Sequence, residues 1–237
     1  MNNQNIKRTE LKYYISNLEY HALRNRLKAI LSPDPHNPSN GGYLIRSLYF
    51  DSYTDDALFE KQSGSLNRQK YRMRIYDTKT DIVKFEIKNR NNSQVFKETA
   101  TITKQSAIKI MNGDYNEFLI YNNPILNRAY IKFSQNLYRP KVVIDYHREA
   151  YIYDFFNLRI TFDLNLKSNN TNFDIFSNHI HTTPVILEQK QILEIKYDTI
   201  LPDYIRDILQ INSFERMAIS KYALARRFFK INKWEDN

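Results

Sequence analysis

Three cationic side chains recur at every second position of the stretch RQKYRMRIYD, residues 68–77. They are Lys70, Arg72 and Arg74, and apolar or aromatic residues lie between them. In a β-strand, alternate residues point to the same face and lie about 7 Å apart. Arg and Lys in such a row are suited to binding phosphate, because their charged groups donate strong hydrogen bonds to phosphate oxygens.

A row of like charges needs anions beside it. Two guanidinium groups about 6 Å apart repel by roughly 3 kcal/mol at an effective dielectric constant near 20. Several such pairs would offset most of a typical folding stability of roughly 5–15 kcal/mol. A few glutamates neutralise part of this charge, and a polyphosphate would neutralise the rest. We therefore interpret the face as a phosphate-binding surface.

The same alternation with period two occurs elsewhere in the chain. RTELKYYI sets Glu10 and Lys12 against apolar residues, and VKFEIK does the same with Glu86 and Lys88. Further strand-like segments are YLIRSLYFD, KVVIDYHREAYIY, LRITFD and ILEIKYD. Because these faces repeatedly carry Arg, Lys and a few glutamates, they predict one shared charged environment. We predict an α+β fold whose antiparallel strands close into a barrel with a basic interior and helices packed outside.

Helical periodicity fills the segments between the strands. The predicted helices cover residues 17–31, 54–62, 104–114, 124–138, 201–209 and 215–229. No repeat, low-complexity tract or long linker divides the sequence, so we expect a single domain over residues 1–237. The alternative to the barrel is an ordinary antiparallel sheet whose polar faces are solvated.

Composition restricts the partners. The 237 residues carry a formal net charge of +9, which indicates an acidic partner such as nucleic acid, a membrane surface or a phosphorylated molecule. Nucleic acid is disfavoured despite 18 Tyr and 14 Phe, because glutamates recur within the basic faces. The absence of cysteine excludes disulfide scaffolds and thiolate chemistry and favours a cytoplasmic setting. We expect neither an export signal nor a membrane span, because no apolar run approaches about 18 residues.

The remaining sequence motifs do not indicate a second binding or catalytic site. Neither a Walker phosphate loop, nor G-x-G-x-x-G, nor G-x-S-x-G occurs, so Arg and Lys side chains must bind any phosphate. His179 and His181 have a spacing that would suit a metal ion, but neither an acid nor a thiol nearby completes the site. We interpret the two histidines as part of a surface loop or strand.

Seven motifs together resemble a known family. They are RTELKYYI, IRSLYFD, KYRMRIYD, FEIK, LRITFD, LEIKYD and ISKYALARR, in this order from about Arg8 to Arg227. They resemble the VTC domain, the polyphosphate polymerase branch of the triphosphate tunnel metalloenzyme (CYTH-like) superfamily. The resemblance implies a basic tunnel that binds ATP or triphosphate with a divalent ion, Mn²⁺ or Mg²⁺. In polymerase members, the terminal phosphoryl group of ATP passes to a growing polyphosphate chain.

The resemblance also assigns roles to individual residues. It implies that Glu194 is the principal metal carboxylate, with Glu86 as a second candidate. The catalytic cations that it implies are Lys12, Arg72, Arg74, Lys88 and Lys221. The substrate-binding residues that it implies are Glu10, Arg46, Arg148, Arg159 and Lys196.

One position departs from the family pattern. Arg8 replaces the first glutamate of the family's E-x-E-x-K strand, whereas Glu10 and Lys12 match the rest. Hydrolytic members use that acidic pair to bind metal, so the replacement favours a polymerase acting on ATP and inorganic polyphosphate. The alternatives are a non-catalytic polyphosphate or inositol-phosphate binding module and an inorganic triphosphatase. Eukaryotic members work beside membrane subunits, which leaves a membrane partner open.

Overall fold

The computed structural model describes residues 8–37, 41–92, 94–186, 188, 190–210 and 214–231. Strands and helices alternate along these residues, and the strands pair antiparallel. The predicted α+β class is therefore confirmed. The elements of the described part are named below in chain order.

The strands form one hydrogen-bonded sheet. They are β1 (Arg8–Ile15), β2 (Ser32–Pro33), β3 (Tyr43–Asp51), β4 (Arg68–Ile75), β5 (Ile82–Asn91), β6 (Gln94–Thr103), β7 (Arg139–Tyr153), β8 (Leu158–Asn169), β9 (Thr183–Pro184) and β10 (Gln191–Asp198). β6 is not among the strands that the sequence predicts.

The helices match the predicted ones in number and place. They are α1 (Asn17–Lys28), α2 (Asp56–Gln62), α3 (Lys104–Met111), α4 (Pro124–Gln135), α5 (Asp203–Leu209) and α6 (Lys221–Ile231). Two 3-10 helices, η1 (Tyr115–Tyr121) and η2 (Phe155–Asn157), complete the described elements. α6 begins later than predicted, because the segment before it pairs with β1 instead of forming a helix.

The order of hydrogen-bonded strands begins at β1 and ends at β6. That order is β1-β10-β8-β7-β3-β4-β5-β6, with β2 paired to β7 and β9 to β8. Among the described residues, no ladder joins β1 to β6. The edge of β1 away from β10 instead pairs with residues before α6, through a Tyr13–Arg216 bridge and a hydrogen bond from Met217 N–H to the Lys12 carbonyl. These contacts occupy the outer edge of β1 at Lys12 and Tyr13, and the predicted closure into a barrel is not confirmed.

The chain divides into two compact units. Unit 1 comprises residues 1–44, 146–166 and 186–219, and unit 2 comprises residues 45–145, 167–185 and 220–237. β7 and β8 contribute residues to both units. The single domain over residues 1–237 stays a prediction.

In unit 1, helices cover the apolar face of the sheet. Alternate residues of β1, β8 and β10 join α1 and α5 in one buried cluster. α1 begins at a capping box, in which Ser16 Oγ accepts from Glu19 N–H at 3.2 Å and Glu19 Oε2 accepts from Ser16 N–H at 2.6 Å. The helix buries Tyr20, Leu23 and Leu27, so the polar alternates of the strands face away from it.

In unit 2, the apolar faces of β3 to β6 pack against α3, α4 and η1. Phe133 of α4 contacts the rings of Phe50, Phe118 and Tyr138 at centroid distances of 5.2, 5.3 and 4.9 Å. Such aromatic packing buries large apolar surfaces on one side of the sheet. The helices therefore lie on the apolar face in this unit as well, and the charged alternates occupy the other face.

Candidate active site

In unit 1, β1 and β10 place opposite charges across from one another. Lys12 is paired with Glu194, and Glu10 is paired with Lys196. The sign of the charge therefore alternates both across the ladder and along each strand. Opposite charges at directly opposed positions stabilise a sheet. These four residues form a charged group on the face away from the helices.

Lys12 contacts both carboxylates of this group. Its Nζ lies 3.3 Å from Glu10 Oε1 and 3.3 Å from Glu194 Oε2. Lys196 Nζ contacts Glu194 as well and lies 3.5 Å from Glu10 Oε1. Burial lowers the pKa of Lys12, but the negative charges of Glu194 and Glu10 outweigh it, so the pKa lies above its ordinary value. Lys12 is therefore a permanent cation and not a proton acceptor.

Glu10 and Glu194 fit a divalent ion that also binds phosphate. Both carboxylates converge on the Lys12 ammonium group, and the Glu194 side chain is only 5% exposed. No cluster of three or more His, Cys, Asp or Glu residues suited to a metal ion occurs in the part of the chain that the structure describes. Mg²⁺ is usually held by one or two carboxylates, and phosphate oxygens and water complete its coordination. The pair therefore suits an ion that binds together with a phosphate substrate.

Arg159 extends the charged group of unit 1 onto β8. It is paired with Lys196 across the β8–β10 ladder. Its Nη2 lies 2.8 Å from Asp34 Oδ2 and donates to the Tyr43 hydroxyl at 3.2 Å. The side chain is still 35% exposed, so the guanidinium is accessible to a ligand.

Arg148 is committed to a buried carboxylate. Its Nε and Nη2 donate to the two oxygens of Asp163 at 2.6 and 2.8 Å. Burial lowers the pKa of Arg148, but the charge of Asp163 more than restores it, so the pKa lies above its ordinary value. This bidentate pair occupies much of the guanidinium that the resemblance assigns to substrate.

In unit 2, Arg72 and Arg74 share the buried carboxylate of Glu86. Arg72 Nε lies 2.6 Å and Arg74 Nε lies 3.8 Å from Glu86 Oε2. Lys97 of β6 binds the other oxygen, Oε1, at 2.7 Å. Burial raises the pKa of Glu86, but the three cations outweigh it and lower the pKa to about 2. Glu86 is therefore an ionised counter-ion, a role that competes with metal binding.

Hydroxyl groups of β3 orient the two arginines. The β3–β4 ladder places Tyr49 opposite Arg72 and Ser47 opposite Arg74. Arg72 Nη1 donates to the Tyr49 hydroxyl at 2.9 Å, and Arg74 Nε donates to Ser47 Oγ at 3.1 Å. Sequence reasoning missed Ser47, Tyr49 and Lys97. The sequence carries little signal for Ser47 and Tyr49, because β3 is buried on both faces, whereas Lys97 alternates with the threonines of β6.

Like charges face one another on the β4–β5 and β5–β6 ladders. Lys70 is paired with Lys88, and Lys88 is paired with Lys97 on its other side. Lys70 Nζ donates to Ser220 Oγ at 2.9 Å. Ser220 immediately precedes Lys221, which is half-buried and is the first residue of α6. Because directly opposed like charges destabilise a sheet, this excess of cations indicates an anionic ligand.

Arg46 is placed differently from the rest of the predicted phosphate-binding residues. Across the β3–β4 ladder it is paired with Ile75, so it points to the opposite face from Arg74. Its Nε and Nη2 bind Asp145 at 2.7 to 3.1 Å, and its Nη1 donates to two carbonyls of the segment between β8 and β9. We therefore revise its role to a structural clamp. β3 is buried on both faces, so its sequence pattern does not report which way Arg46 points.

The predicted site residues thus form two groups, one in each unit. The unit 1 residues are Glu10, Lys12, Arg148, Arg159, Glu194 and Lys196, and the unit 2 residues are Arg72, Arg74, Glu86, Lys88 and Lys221. Their convergence in one interior stays a prediction. His179 and His181 are exposed between β8 and β9.

A comparison with known protein families gives a match over nearly the whole chain. Residues 7–230 match the family model of the VTC domain. The chain belongs to the VTC domain family. This membership confirms the resemblance that the seven sequence motifs carry. No curated protein matches this VTC domain in sequence.

Solved structures share the fold at low sequence identity. One is a Hippeastrum protein described as a candidate adenylyl cyclase with a dominant triphosphatase activity, at 15% identity and a TM-score of 0.55, with 93% of this chain and 94% of that chain covered. A candidate adenylate cyclase from Vibrio parahaemolyticus has 13% identity and a TM-score of 0.51, with 93% and 98% covered. Another from Bacillus halodurans has 14% identity and a TM-score of 0.50, with 91% and 94% covered.

Among the helices that the structure describes, none combines the length and the apolar composition that crossing a bilayer requires.

Proposed function

We propose that this VTC domain is a metal-dependent polyphosphate polymerase, which transfers the γ-phosphoryl group of ATP to an inorganic polyphosphate chain. The observation that carries the proposal is the excess of cations on the charged face of β4, β5 and β6. There Arg72, Arg74 and Lys97 contact the carboxylate of Glu86, and Lys70 and Lys88 oppose one another at the next position of the ladder. A condensed phosphate carries the opposite charge and accepts charge-assisted hydrogen bonds from such a row.

The cations would bind and orient the phosphates. Phosphoryl transfer has a loose transition state with charge on the equatorial oxygens, so positioning and electrostatic stabilisation supply most of the catalysis. Arg72 and Arg74 are already fixed by Glu86, Tyr49 and Ser47, so little ordering is needed when phosphate binds. In unit 1, Lys12, Lys196 and Arg159 provide further donors.

Glu10 and Glu194 would hold the divalent ion, Mn²⁺ or Mg²⁺. Such an ion neutralises phosphate charge and acts as a Lewis acid. The two glutamates are the carboxylates that converge in unit 1, and Lys12 and Lys196 lie beside them as donors to phosphate oxygens. Glu86 is a weaker candidate ligand, because Arg72 and Lys97 already occupy its two oxygens.

The same groups favour a phosphate acceptor over water. The terminal oxygen of a polyphosphate is already ionised and needs no general base, whereas an attacking water must lose a proton. Glu86, with a pKa of about 2, is a poor base, and Lys12 stays protonated. Arg8 removes a further carboxylate from the family's acidic pair.

Two alternatives remain. Inorganic triphosphatase activity is the second enzymatic candidate, because the Hippeastrum protein that shares the fold is described as having a dominant triphosphatase activity. A non-catalytic polyphosphate or inositol-phosphate binding module would need the basic face alone. We further propose that residues 1–237 act as one functional domain in the cytoplasm, where ATP is available, with a membrane partner as a candidate receiver of the chain.

The deciding experiment follows three products separately. The protein is incubated with ATP and Mn²⁺ or Mg²⁺, and ADP, free phosphate and long-chain polyphosphate are measured. ADP with chains supports the polymerase, and free phosphate without chains supports the triphosphatase. Neither product, with tight polyphosphate binding retained in chelator, supports the binding module and overturns the proposal.

A further inference from the structure

The cationic row of β4 continues past Lys70 to Arg68. Pairing with β5 is uninterrupted from Arg68 to Arg74, so Arg68 lies on the same face of the strand as the rest of the row. Its partner across the ladder is Arg90, next to the Lys70–Lys88 pair. At about 3.3 Å per residue, the row from Arg74 to Arg68 is roughly 20 Å long.

Arg68 and Arg90 repel one another in the free protein. Directly opposed like charges destabilise a sheet. Burial and the positive charge of Arg90 both lower the pKa of Arg68 below its ordinary value. Arg68 Nη1 donates to the Ser65 carbonyl at 2.7 Å, and Arg90 Nε donates to the Asn92 carbonyl at 2.9 Å. These backbone contacts fix the side chains without neutralising them, and no ion pair of either arginine with a carboxylate occurs in the described part of the chain.

Both arginines line a cavity of about 380 Å³. Its other walls include Gln69 and Asn89, which alternate with the cationic row, and Lys132 of α4, so the cavity extends to the helix-covered side of the strands. Asp56 and Glu60 of α2 line another part of the wall. The negative charge of Glu60 opposes the lowering of the Arg68 pKa, so the helix side of the cavity disfavours an anion compared with the charged face of β4 and β5.

We propose that Arg68 and Arg90 form a distal subsite for condensed phosphate, which binds units of a chain that also contacts Arg72 and Arg74. The inference rests on the proposed function, because it assumes that the charged face of β4 and β5 binds phosphate. A triphosphate has only two P–O–P links and is much shorter than the row. The subsite therefore distinguishes long chains from triphosphate and retains a growing product.

Equilibrium binding tests the subsite without catalysis. Affinities for inorganic triphosphate and for fractionated long-chain polyphosphate are measured in chelator and without ATP. The variant carries Arg68→Gln and Arg90→Gln, and the control carries Lys79→Gln, which removes a cation from the exposed turn between β4 and β5. We expect the double variant to lose about tenfold or more in affinity for the long chain, because charge-assisted contacts are lost, and to keep its affinity for triphosphate. Its thermal stability should be equal to or above wild type, because the substitutions relieve repulsion.

The results separate this inference from the proposed function. Equal losses for both ligands, or a loss no larger than in Lys79→Gln, overturn the subsite while wild-type binding and ATP turnover stand. A wild-type protein that binds neither ligand overturns the proposed function together with the subsite. Product length gives a second readout, since a polymerase lacking the subsite should release shorter chains at a similar rate of ADP formation. Chains of wild-type length from the double variant would also contradict the subsite.

Discussion

The rings of Tyr49 and Tyr222 stack, with centroids 5.4 Å apart and an interplanar angle of 27°. Tyr49 accepts the hydrogen bond from Arg72, and the ammonium of Lys70 lies 5.5 Å from the centre of the Tyr222 ring. Tyr222 is itself anchored by a hydrogen bond to the buried carboxylate of Asp51. The tyrosine pair therefore links α6 to the cationic row and fixes the position of Arg72.

Tyr49→Phe should impair catalysis without unfolding the protein. The substitution keeps the ring stack and removes only the hydroxyl that orients Arg72. A hydrogen bond to a charged group contributes about 1.5–3 kcal/mol, so we expect kcat to fall by about tenfold or more. ADP formation and thermal unfolding are measured in parallel, with Tyr53→Phe at a 72% exposed tyrosine as the control. An unchanged kcat would show that Tyr49 does not position Arg72.

Arg74→Ala should abolish turnover and leave the fold largely intact. Glu86 keeps Arg72 and Lys97 as partners, so no buried charge is left unpaired. Loss of a donor to the transition state typically lowers kcat by about 10²–10³. Polyphosphate synthesis and circular dichroism provide the measurements, and Arg139→Ala at the exposed start of β7 is the control. Unfolding of the Arg74 variant would instead assign the residue to stability.

Glu194→Gln should weaken metal binding. The amide keeps the shape of the side chain but loses its negative charge, and Glu10 still pairs with Lys12. We expect the Mn²⁺ concentration for half-maximal activity, and the dissociation constant of Mn²⁺ measured directly with triphosphate present, to rise at least about tenfold. Glu188→Gln, which loses a surface pair with Lys190, is the matched control. Equal Mn²⁺ affinity in wild type and the Glu194 variant would exclude the carboxylate as a ligand.

The ion pairs of Glu86 should make stability depend on acid pH. Its pKa falls from 4.5 to about 2 on folding, so the folded state favours the ionised carboxylate. This contribution, about 3 kcal/mol, is complete above about pH 5 and is lost as the pH falls towards 2. Urea unfolding of wild type and Glu86→Gln should therefore differ most near pH 6 and approach the same stability only towards pH 2. A constant difference across this range would contradict the assignment.

Much of this organisation could be predicted from the sequence. The alternation in RQKYRMRIYD assigned Lys70, Arg72 and Arg74 to one face, and the β4–β5 ladder pairs them as one face of the strand. Alternation of apolar and charged residues shows which face of a strand each side chain lies on. The prediction therefore succeeds wherever one face is apolar and the other is charged. The helices were found for the same reason, since their apolar residues recur with helical spacing.

The partners of these charges could not be predicted. Arg148 pairs with Asp163, and Arg159 pairs with Asp34, which lies far from it in the chain. Periodicity gives the face of a residue but not the register that brings two strands together. β6 was missed although QVFKETATIT contains alternating threonines, and with it Lys97 was missed as a partner of Glu86. Closure of the sheet depends on pairing at its two edges, which local patterns do not report.

Substitution of Arg46 tests its revised role as the structural partner of Asp145. It is 5% exposed, and Asp145, its bidentate partner, is 8% exposed. Arg46→Ala leaves this buried carboxylate unpaired, so we expect the free energy of unfolding to fall by about 3–5 kcal/mol. The polyphosphate affinity of the folded fraction should stay at the wild-type value, because Arg46 points to the face away from Arg74.

A double variant separates the clamp from a phosphate contact. Arg46→Met with Asp145→Leu removes both charges and fills the site with apolar side chains, so it should recover much of the stability that Arg46→Ala loses. Urea unfolding gives the stability of each variant, and titration with long-chain polyphosphate gives the affinity. If the double variant recovers stability but binds polyphosphate tenfold more weakly, Arg46 contacts the substrate and its original assignment is correct. Recovery of both properties establishes the clamp, because the ion pair with Asp145 then accounts for the whole effect of losing Arg46.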